Sequence, residues 1–392
     1  MIDIDQPTTL LGGLAPSRFM RRHWHKTPLL VRQAAPGIEP LLTRAELFAL
    51  AAREDVESRL VVCAGRQWSL RPGPLLRRAL PPLSQARWTL LVQGVDLHVD
   101  AAQALLSRFR FVPDARLDDL MVSYASDGGS VGPHIDSYDV FLLQMSGRRR
   151  WRYGRCARPV MRDDVPLKML SRFEPTESQL LEPGDMLYLP PGWAHEGTAV
   201  GGDCMTASIG FRAPTQAELA RVLLERLADN GGDDGPSHQS PRYRDAGQAA
   251  TAQPGAVPAA LQAFAQQALQ RALAEPGAIA RALGEWLTEP KPQVWFDRPH
   301  GVTWGTGDGL TLDRRTRMGY DERQVFINGE SFRAGGSDAR LMRRLADSRL
   351  LAPAEVRRLS AGARALIAEW QQAGWLHPSP ETPLARGAHR HA

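Results

Sequence analysis

The chain has 392 residues, 43% hydrophobic and 23% charged, which excludes a disordered polymer and suits an ordinary globular protein of two or three domains. Lys plus Arg number 48 against 43 acids, a net charge of +5, and the only lysines are Lys26, Lys168 and Lys291. The excess is therefore nearly all arginine, read first as compositional drift and second as a capacity for phosphate or carboxylate recognition.

Cys63, Cys156 and Cys204 are isolated and form no Cys-x-x-Cys pair, so neither a zinc ribbon nor a disulfide framework is indicated, and a reducing cytosol fits. The start, Met1-Ile2-Asp3-Ile4-Asp5, is acidic where a signal peptide would be basic. No apolar run approaches the roughly 20 residues of a membrane span. The expectation is a cytoplasmic protein with no membrane partner.

In chain order, Phe19 to Val31 predicts a short helix that breaks at Thr27-Pro28 into an apolar strand. His23 and His25 lie two apart and share no helix face, so they read as surface or packing residues. Thr43 and Glu46 form a capping-box pattern that opens a helix over 43–53. Strands follow at 58–63, 88–91 and 117–124. Between the last two, His98-x-Asp100 tempts a metal reading, but Asp100 directly precedes Ala101-Ala102-Gln103-Ala104 and is explained as a helix N-cap. On the 117–124 strand, alternation gives Asp119, Met121 and Ser123 one face and Asp118 the other. Asp119 is an edge-strand charge or a buried acid waiting for a cation, and position alone favours the former.

The central stretch begins at Gly132-Pro133-His134-Ile135-Asp136. On a strand, His134 and Asp136 project from one face while Ile135 points away. Tyr138 to Met145 predicts a strand, Ser146-Gly147 a hairpin turn and Arg148 to Tyr153 the returning strand. Alternation there puts Arg149 beside Trp151 and Tyr153 on an inward face, where a guanidinium needs an anion, and turns Arg148, Arg150 and Arg152 outward, read first as a solvated face and second as a contact for nucleic acid. Pro190-Pro191-Gly192-Trp193-Ala194-His195 presents a second histidine behind a rigid turn. A capped loop histidine and a metal ligand are equally good readings of His195 taken alone. The strand 204–211 carries Thr206, Ser208 and Gly210 on one face.

From Thr215 the pattern is helical over 216–229, polar and Gly/Pro/Ser-rich over about 230–258, and helical again over 259–273 and 279–287. Strand patterns at 309–312 and 324–327 with helices at 339–346, 354–359 and 361–373 suit a winged-helix unit. The tail 378–392, with His389 and His391, is expected to be disordered.

Two imidazoles and a carboxylate form the facial triad of non-haem Fe(II) oxygenases, which leaves positions open for a 2-oxo acid and dioxygen. A structural zinc site would close four ligands. At this point the sequence resembles the JmjC-type 2-oxoglutarate oxygenases, and among them the bacterial ribosomal oxygenases. The resemblance rests on Val131 to Phe141, on Gly147-Arg148-Arg149-Arg150-Trp151-Arg152, on Leu181 to Gly197, on Gly210-Phe211-Arg212-Ala213-Pro214 and on Trp24 to Leu30. Order and spacing carry it, and His98 lacks them: Arg149 follows His134 by fifteen residues, whereas Pro113 stands fifteen after His98.

The resemblance implies an α+β chain: a double-stranded β-helix (cupin or jelly-roll) catalytic domain over 1–213, a helical dimerisation segment over 214–293 and a winged-helix-like domain over 294–377. It implies Fe(II) held by His134, Asp136 and His195, and 2-oxoglutarate anchored by Arg149 with Thr206 and Ser208 nearby. Where related sequences have asparagine on the last barrel strand, this one has Thr206. Asp119, Met121 and Tyr138 would form a pocket for a substrate arginine. The implied activity is 3-hydroxylation of an arginine in large-subunit ribosomal protein sixteen, by a homodimer and with dioxygen as oxidant. The alternatives are hydroxylation of another ribosomal residue such as histidine, or a catalytically idle cupin that binds ribosomal RNA or protein as an assembly factor.

Overall fold

The computed structural model describes residues 2–230, 242–246, 249–250, 253–298 and 308–379. These residues form two compact units, Met1–Ala213 with Lys291–Phe296, and Pro214–Pro290 with Asp297–Ala392.

The first unit opens with α1 (Pro16–Arg22) and β1 (Leu29–Val31), separated by Thr27-Pro28 as the sequence predicts. Helix α2 (Arg44–Ala51) carries the complete capping box, Thr43 accepting from the Glu46 N–H while Glu46 accepts from the Thr43 N–H. Strands β2 (Ser58–Ala64), β3 (Gln67–Pro72) and β4 (Trp88–Val92) precede α3 (Asp100–Ser107). Asp100 is the first residue of α3 rather than its N-cap, which is Val99; there its charge still favours the helix N-terminus. The remaining strands are β5 (Leu117–Ala125), β6 (His134–Ile135), β7 (Val140–Arg155), β8 (Glu177–Leu181), β9 (Met186–Leu189) and β10 (Trp193–Phe211).

These ten strands make one antiparallel sheet in the order β1-β9-β7-β10-β5-β4-β2-β3, with β6 on β10 and β8 on β7. Strand β7 pairs its first half with β9 and its second half with β8, while β10 pairs with β7 along both halves. A sheet whose two longest strands exchange neighbours midway must curl, and this is the jelly-roll barrel.

The hairpin expected at Ser146-Gly147 is absent: β7 runs straight through, and His195 lies within β10 rather than in a loop. What changes there is the phase. Val140, Leu142 and Gln144 face one side before Gly147, and Arg149, Trp151 and Tyr153 continue that side after it. Gly147, at φ 64°, absorbs the extra residue, and a Cβ there would meet the Asp203 carbonyl oxygen. Gly201 and Gly202, at φ 82° and 115°, absorb the matching shift in β10.

One side of the sheet is sealed by aromatic packing. Phe141 lies 4.8 Å from Tyr188 and 4.8 Å from Phe109, and Phe19 lies 4.9 Å from Tyr188. The other side encloses the site.

The second unit contains α4 (Gln216–Asn230), α5 (Ala259–Ala274) and α6 (Ala278–Thr288). It continues with β11 (Gly309–Leu312), β12 (Met318–Tyr320), β13 (Gln324–Ile327), β14 (Glu330–Arg333), α7 (Gly336–Ser348), β15 (Leu350–Leu351), α8 (Pro353–Val356), α9 (Ala361–Gln372) and β16 (Leu376–Ser379). Two small sheets, β15-β11-β16 and β12-β13-β14, share a core of Leu310, Ile327, Leu345, Ile367 and Trp370. Pro378 and Ser379 belong to β16, so the expected tail begins later; its residues 380–392, and most of the loop at 230–258, lie outside the described residues.

Candidate metal centre and its pocket

Strand pairing builds the centre. His134 on β6 is the direct partner of His195 on β10, and His195 also pairs with Tyr153 on β7. The turn before β10 is pinned to the loop that follows β6, because the Gly192 N–H donates to the Asp136 carbonyl at 3.0 Å. The ligand atoms offered by His134, Asp136 and His195 lie within 4.8 Å of one another, and no other group of three or more His, Cys, Asp or Glu converges so among the described residues.

Each ring is oriented by a carbonyl oxygen: His134 Nδ1 lies 2.9 Å from Gly132 O, and His195 Nδ1 lies 2.9 Å from Trp193 O. A carbonyl can only accept, so the proton sits on Nδ1 and the Nε2 lone pair is turned toward the centre. Asp136 Oδ2 stands 4.0 Å from His134 Nε2 and 3.6 Å from His195 Nε2. Those separations are too long for hydrogen bonds. Three donors that converge without bonding one another fit a shared cation. Burial first, then the nearby charge of His134, pushes the His195 imidazole down to about 4, so it is neutral and able to ligate at neutral pH.

Arg149 is 5% exposed, and its guanidinium makes one hydrogen bond, Nη1 to Ser123 Oγ at 3.2 Å. Nε and Nη2 are buried without a partner among the described residues, and the group lies 5.7 Å from the Trp151 ring. A buried cation with two parallel donors unused is costly alone and matches a carboxylate. Of the other two interior positions, Thr206 is fully buried and donates to Gln144 Oε1 at 3.0 Å, whereas the Ser208 hydroxyl makes no hydrogen bond among the described residues.

Asp119 is 6% exposed, a buried acid rather than the edge-strand charge its position favoured. Met121 follows on the same strand, half-buried, and Tyr138 is 38% exposed. Burial raises the Tyr138 phenol, and the charges of Asp136 and Asp119 raise it further, so both acids act on this one ring. His25, by contrast, pairs with buried Asp139 at 3.0 Å, and His23 contacts Thr27. Arg152 pairs with Glu196, while Arg148 and Arg150 are exposed.

Three interior residues escaped the sequence reading. Ser123 lies on the face that alternation predicts, and its hydroxyl accepts from Arg149 Nη1. Arg59, in the cross-strand row Arg59, Leu91, Ser123, Thr206, has a buried Nε without a partner among the described residues. Lys291 brings its ammonium to Asp118 and Asp119. Its scarcity, one lysine of three in an arginine-rich chain, was the available signal.

Residues 104–219 match the family model of the JmjC domain, and residues 270–377 match that of the ROXA-like winged helix. The chain is 40% identical over 215 residues to the ribosomal protein uL16 3-hydroxylase of Escherichia coli, an alignment covering 53% of this chain and 56% of that protein. In sequence it thus spans about half the length of that curated relative. In structure it resembles E. coli YcfD, with TM-score 0.78 and 28% identity, covering 92% of this chain and 97% of that one. A YcfD structure described as a ribosomal oxygenase in complex with cobalt and 2-oxoglutarate matches at TM-score 0.74 and 27% identity, over 96% of this chain and 99% of that one. Residues 104–219 thus resemble the JmjC domain and residues 270–377 the ROXA-like winged helix, carried on a fold similar to that of E. coli YcfD.

Proposed function

We propose that the protein is a 2-oxoglutarate- and Fe(II)-dependent hydroxylase that modifies an arginyl residue of a large-subunit ribosomal protein. The observation that carries this reading is the pair of buried donors on Arg149 with no partner among the described residues, on the strand that pairs with that of His195, together with the convergence of His134, Asp136 and His195. The name of the E. coli relative supports the ribosomal substrate, and the cobalt and 2-oxoglutarate complex of YcfD supports the cofactor pair.

His134, Asp136 and His195 would hold the iron. When bound with 2-oxoglutarate and dioxygen, it supplies the oxidising chemistry that inserts one oxygen atom into a C–H bond, with succinate and carbon dioxide as co-products. Arg149 grips the far carboxylate of 2-oxoglutarate through Nε and Nη2, with Ser123 fixing its remaining arm and Ser208 free to donate. Thr206 braces this wall through Gln144. Asp119 receives the substrate guanidinium, with Met121 and Tyr138 against its plane. The barrel wall keeps water from the reacting atoms.

On the same reading, 1–213 is the catalytic domain, 214–293 a dimerisation segment of a homodimer, and 294–377 a winged-helix-like domain. The protein works in the cytoplasm; no helix among the described residues is long and apolar enough to cross a membrane.

The test is mass spectrometry of large-subunit ribosomal proteins incubated with the protein, Fe(II) and 2-oxoglutarate. Gain of one oxygen on an arginine, dependent on 2-oxoglutarate, is the expected result. Modification of another residue type would overturn the substrate assignment. Failure to form succinate would overturn the enzyme reading.

A further inference from the structure

Asp118 and Asp119 stand at an irregularity in the sheet. Leu120 pairs with Ile209 and Leu117 with Phe211, so two residues of β5 oppose the single Gly210 of β10. Such a bulge suspends strict alternation and lets neighbouring side chains lean the same way. The expected division of the two acids between opposite faces therefore fails here. Both meet one cation: Lys291 Nζ lies 3.2 Å from Asp118 Oδ1 and 3.4 Å from Asp119 Oδ2. Lys291 opens the segment Lys291–Phe296, which returns from far along the chain to pack in the first unit.

Asp119 Oδ2 is already well used, since it also accepts the Gly94 N–H at 2.9 Å. Oδ1 accepts no hydrogen bond among the described residues and lies beside Gly210, where an added Cβ would stand 3.9 Å away. The acid thus presents one free oxygen while its charge is balanced by a lysine. Burial disfavours the charged ammonium, but the charges of Asp119 and Asp118 outweigh it and raise the Lys291 amine, so it is a cation at neutral pH.

We propose that Lys291 is a tethered occupant of the substrate-cation pocket, which yields Asp119 to an incoming guanidinium and withdraws onto Asp118. This rests on the reading of Asp119 as the arginine receptor. Withdrawal leaves no bare charge, because Asp118 is the nearer of its two partners and keeps the ammonium paired. Asp118 is itself steadied by Arg212 Nε at 3.4 Å. The arrangement sets a threshold: a planar guanidinium that bridges both oxygens of Asp119 can displace a point-charge ammonium, whereas a neutral side chain cannot.

The test uses the full chain and the probe acetyl-Gly-Arg-Gly-amide. With three lysines in the sequence, acetic anhydride labelling read by mass spectrometry resolves each one. Saturating peptide is expected to raise the Lys291 labelling rate several-fold and leave Lys26 and Lys168 unchanged. Equilibrium dialysis at pH 8.5 is expected to show Lys291→Met binding the peptide at least fivefold more tightly, and Lys291→Arg, whose tethered guanidinium itself matches the Asp119 fork, binding it no more tightly than wild type. Peptide that binds wild type without exposing Lys291, or that binds Lys291→Met more weakly, overturns the proposal and leaves the arginine pocket standing. Peptide that binds neither protein overturns both.

Discussion

His134 and His195 face each other across adjacent antiparallel strands, their rings 4.2 Å apart and each Nδ1 held 2.9 Å from a carbonyl oxygen two residues back in the chain. The backbone therefore fixes which nitrogen of each ring is available before any ion arrives. This preorganisation also dictates how the metal-free protein responds to acid.

His195 titrates at about 4 in the folded protein, pushed down first by burial and then by the charge of His134, against 6.5 in an unfolded chain. The unfolded form takes up a proton that the folded form refuses, so stability is full above about 6.5 and falls as pH drops toward about 4. His195→Asn should flatten that limb of the profile. Denaturant unfolding of metal-free protein between pH 7.5 and 4.5 checks this, and an unchanged slope in the variant would remove His195 as its source.

Arg149 offers an unusual pair of expected changes. Its Nε and Nη2 are buried without partners among the described residues, so Arg149→Met should stabilise the ligand-free protein, by on the order of 1–3 kcal/mol, while abolishing measurable 2-oxoglutarate binding. Thermal unfolding read with and without 2-oxoglutarate gives both quantities. Loss of stability in the ligand-free variant would mean that the guanidinium is satisfied without its anion.

The strands and their inward residues were legible because period-two alternation survives in local runs: Arg149, Trp151 and Tyr153 are buried while Arg148, Arg150 and Arg152 are exposed. What could not be read was continuity across glycine. Ser146-Gly147 has the chemistry of a hairpin, and only pairing with β10 along both halves of β7 shows that it is a kink within one strand. Asp118 and Asp119 failed for a related reason, since a bulge is a property of two paired strands and leaves no mark on one of them. The partnership of Lys291 with acids some 170 positions earlier has no local signal at all.

Asp96 is 5% exposed and is pushed up to about 7 by burial, then by the charge of Asp119, while its Oδ1 accepts the Leu120 N–H at 2.8 Å. Because the folded value lies above the unfolded one, the neutral acid is tolerated below about 4 and its ionisation costs increasing stability up to about 7. Asp96→Asn keeps the acceptor for Leu120 and never ionises. Its stability advantage should grow from pH 5 to pH 8 toward a few kcal/mol, on the order expected for a shift of this size. Urea unfolding at the two pH values decides the matter, and an advantage that does not grow would place the Asp96 charge in water.

Gly197 leaves the space that the Trp151 indole fills. It is the cross-strand partner of Trp151, and a Cβ at this position would stand 2.7 Å from the indole ring. The indole cannot yield freely, because its ring lies 5.9 Å from that of His195 on one side and 5.7 Å from the Arg149 guanidinium on another. Gly197→Ala is thus an overpacking change, expected to cost about 1–3 kcal/mol. It should also weaken 2-oxoglutarate binding, since the displaced ring moves the group that grips the carboxylate. Gly201→Ala is the control: φ there is 82°, so backbone strain is present, but its nearest side-chain neighbour is the flexible end of Arg148 at 3.2 Å. If both variants lose stability but only Gly197→Ala loses affinity, Trp151 is the element that couples the wall to the anchor; equal losses of affinity would show that barrel stability alone governs binding.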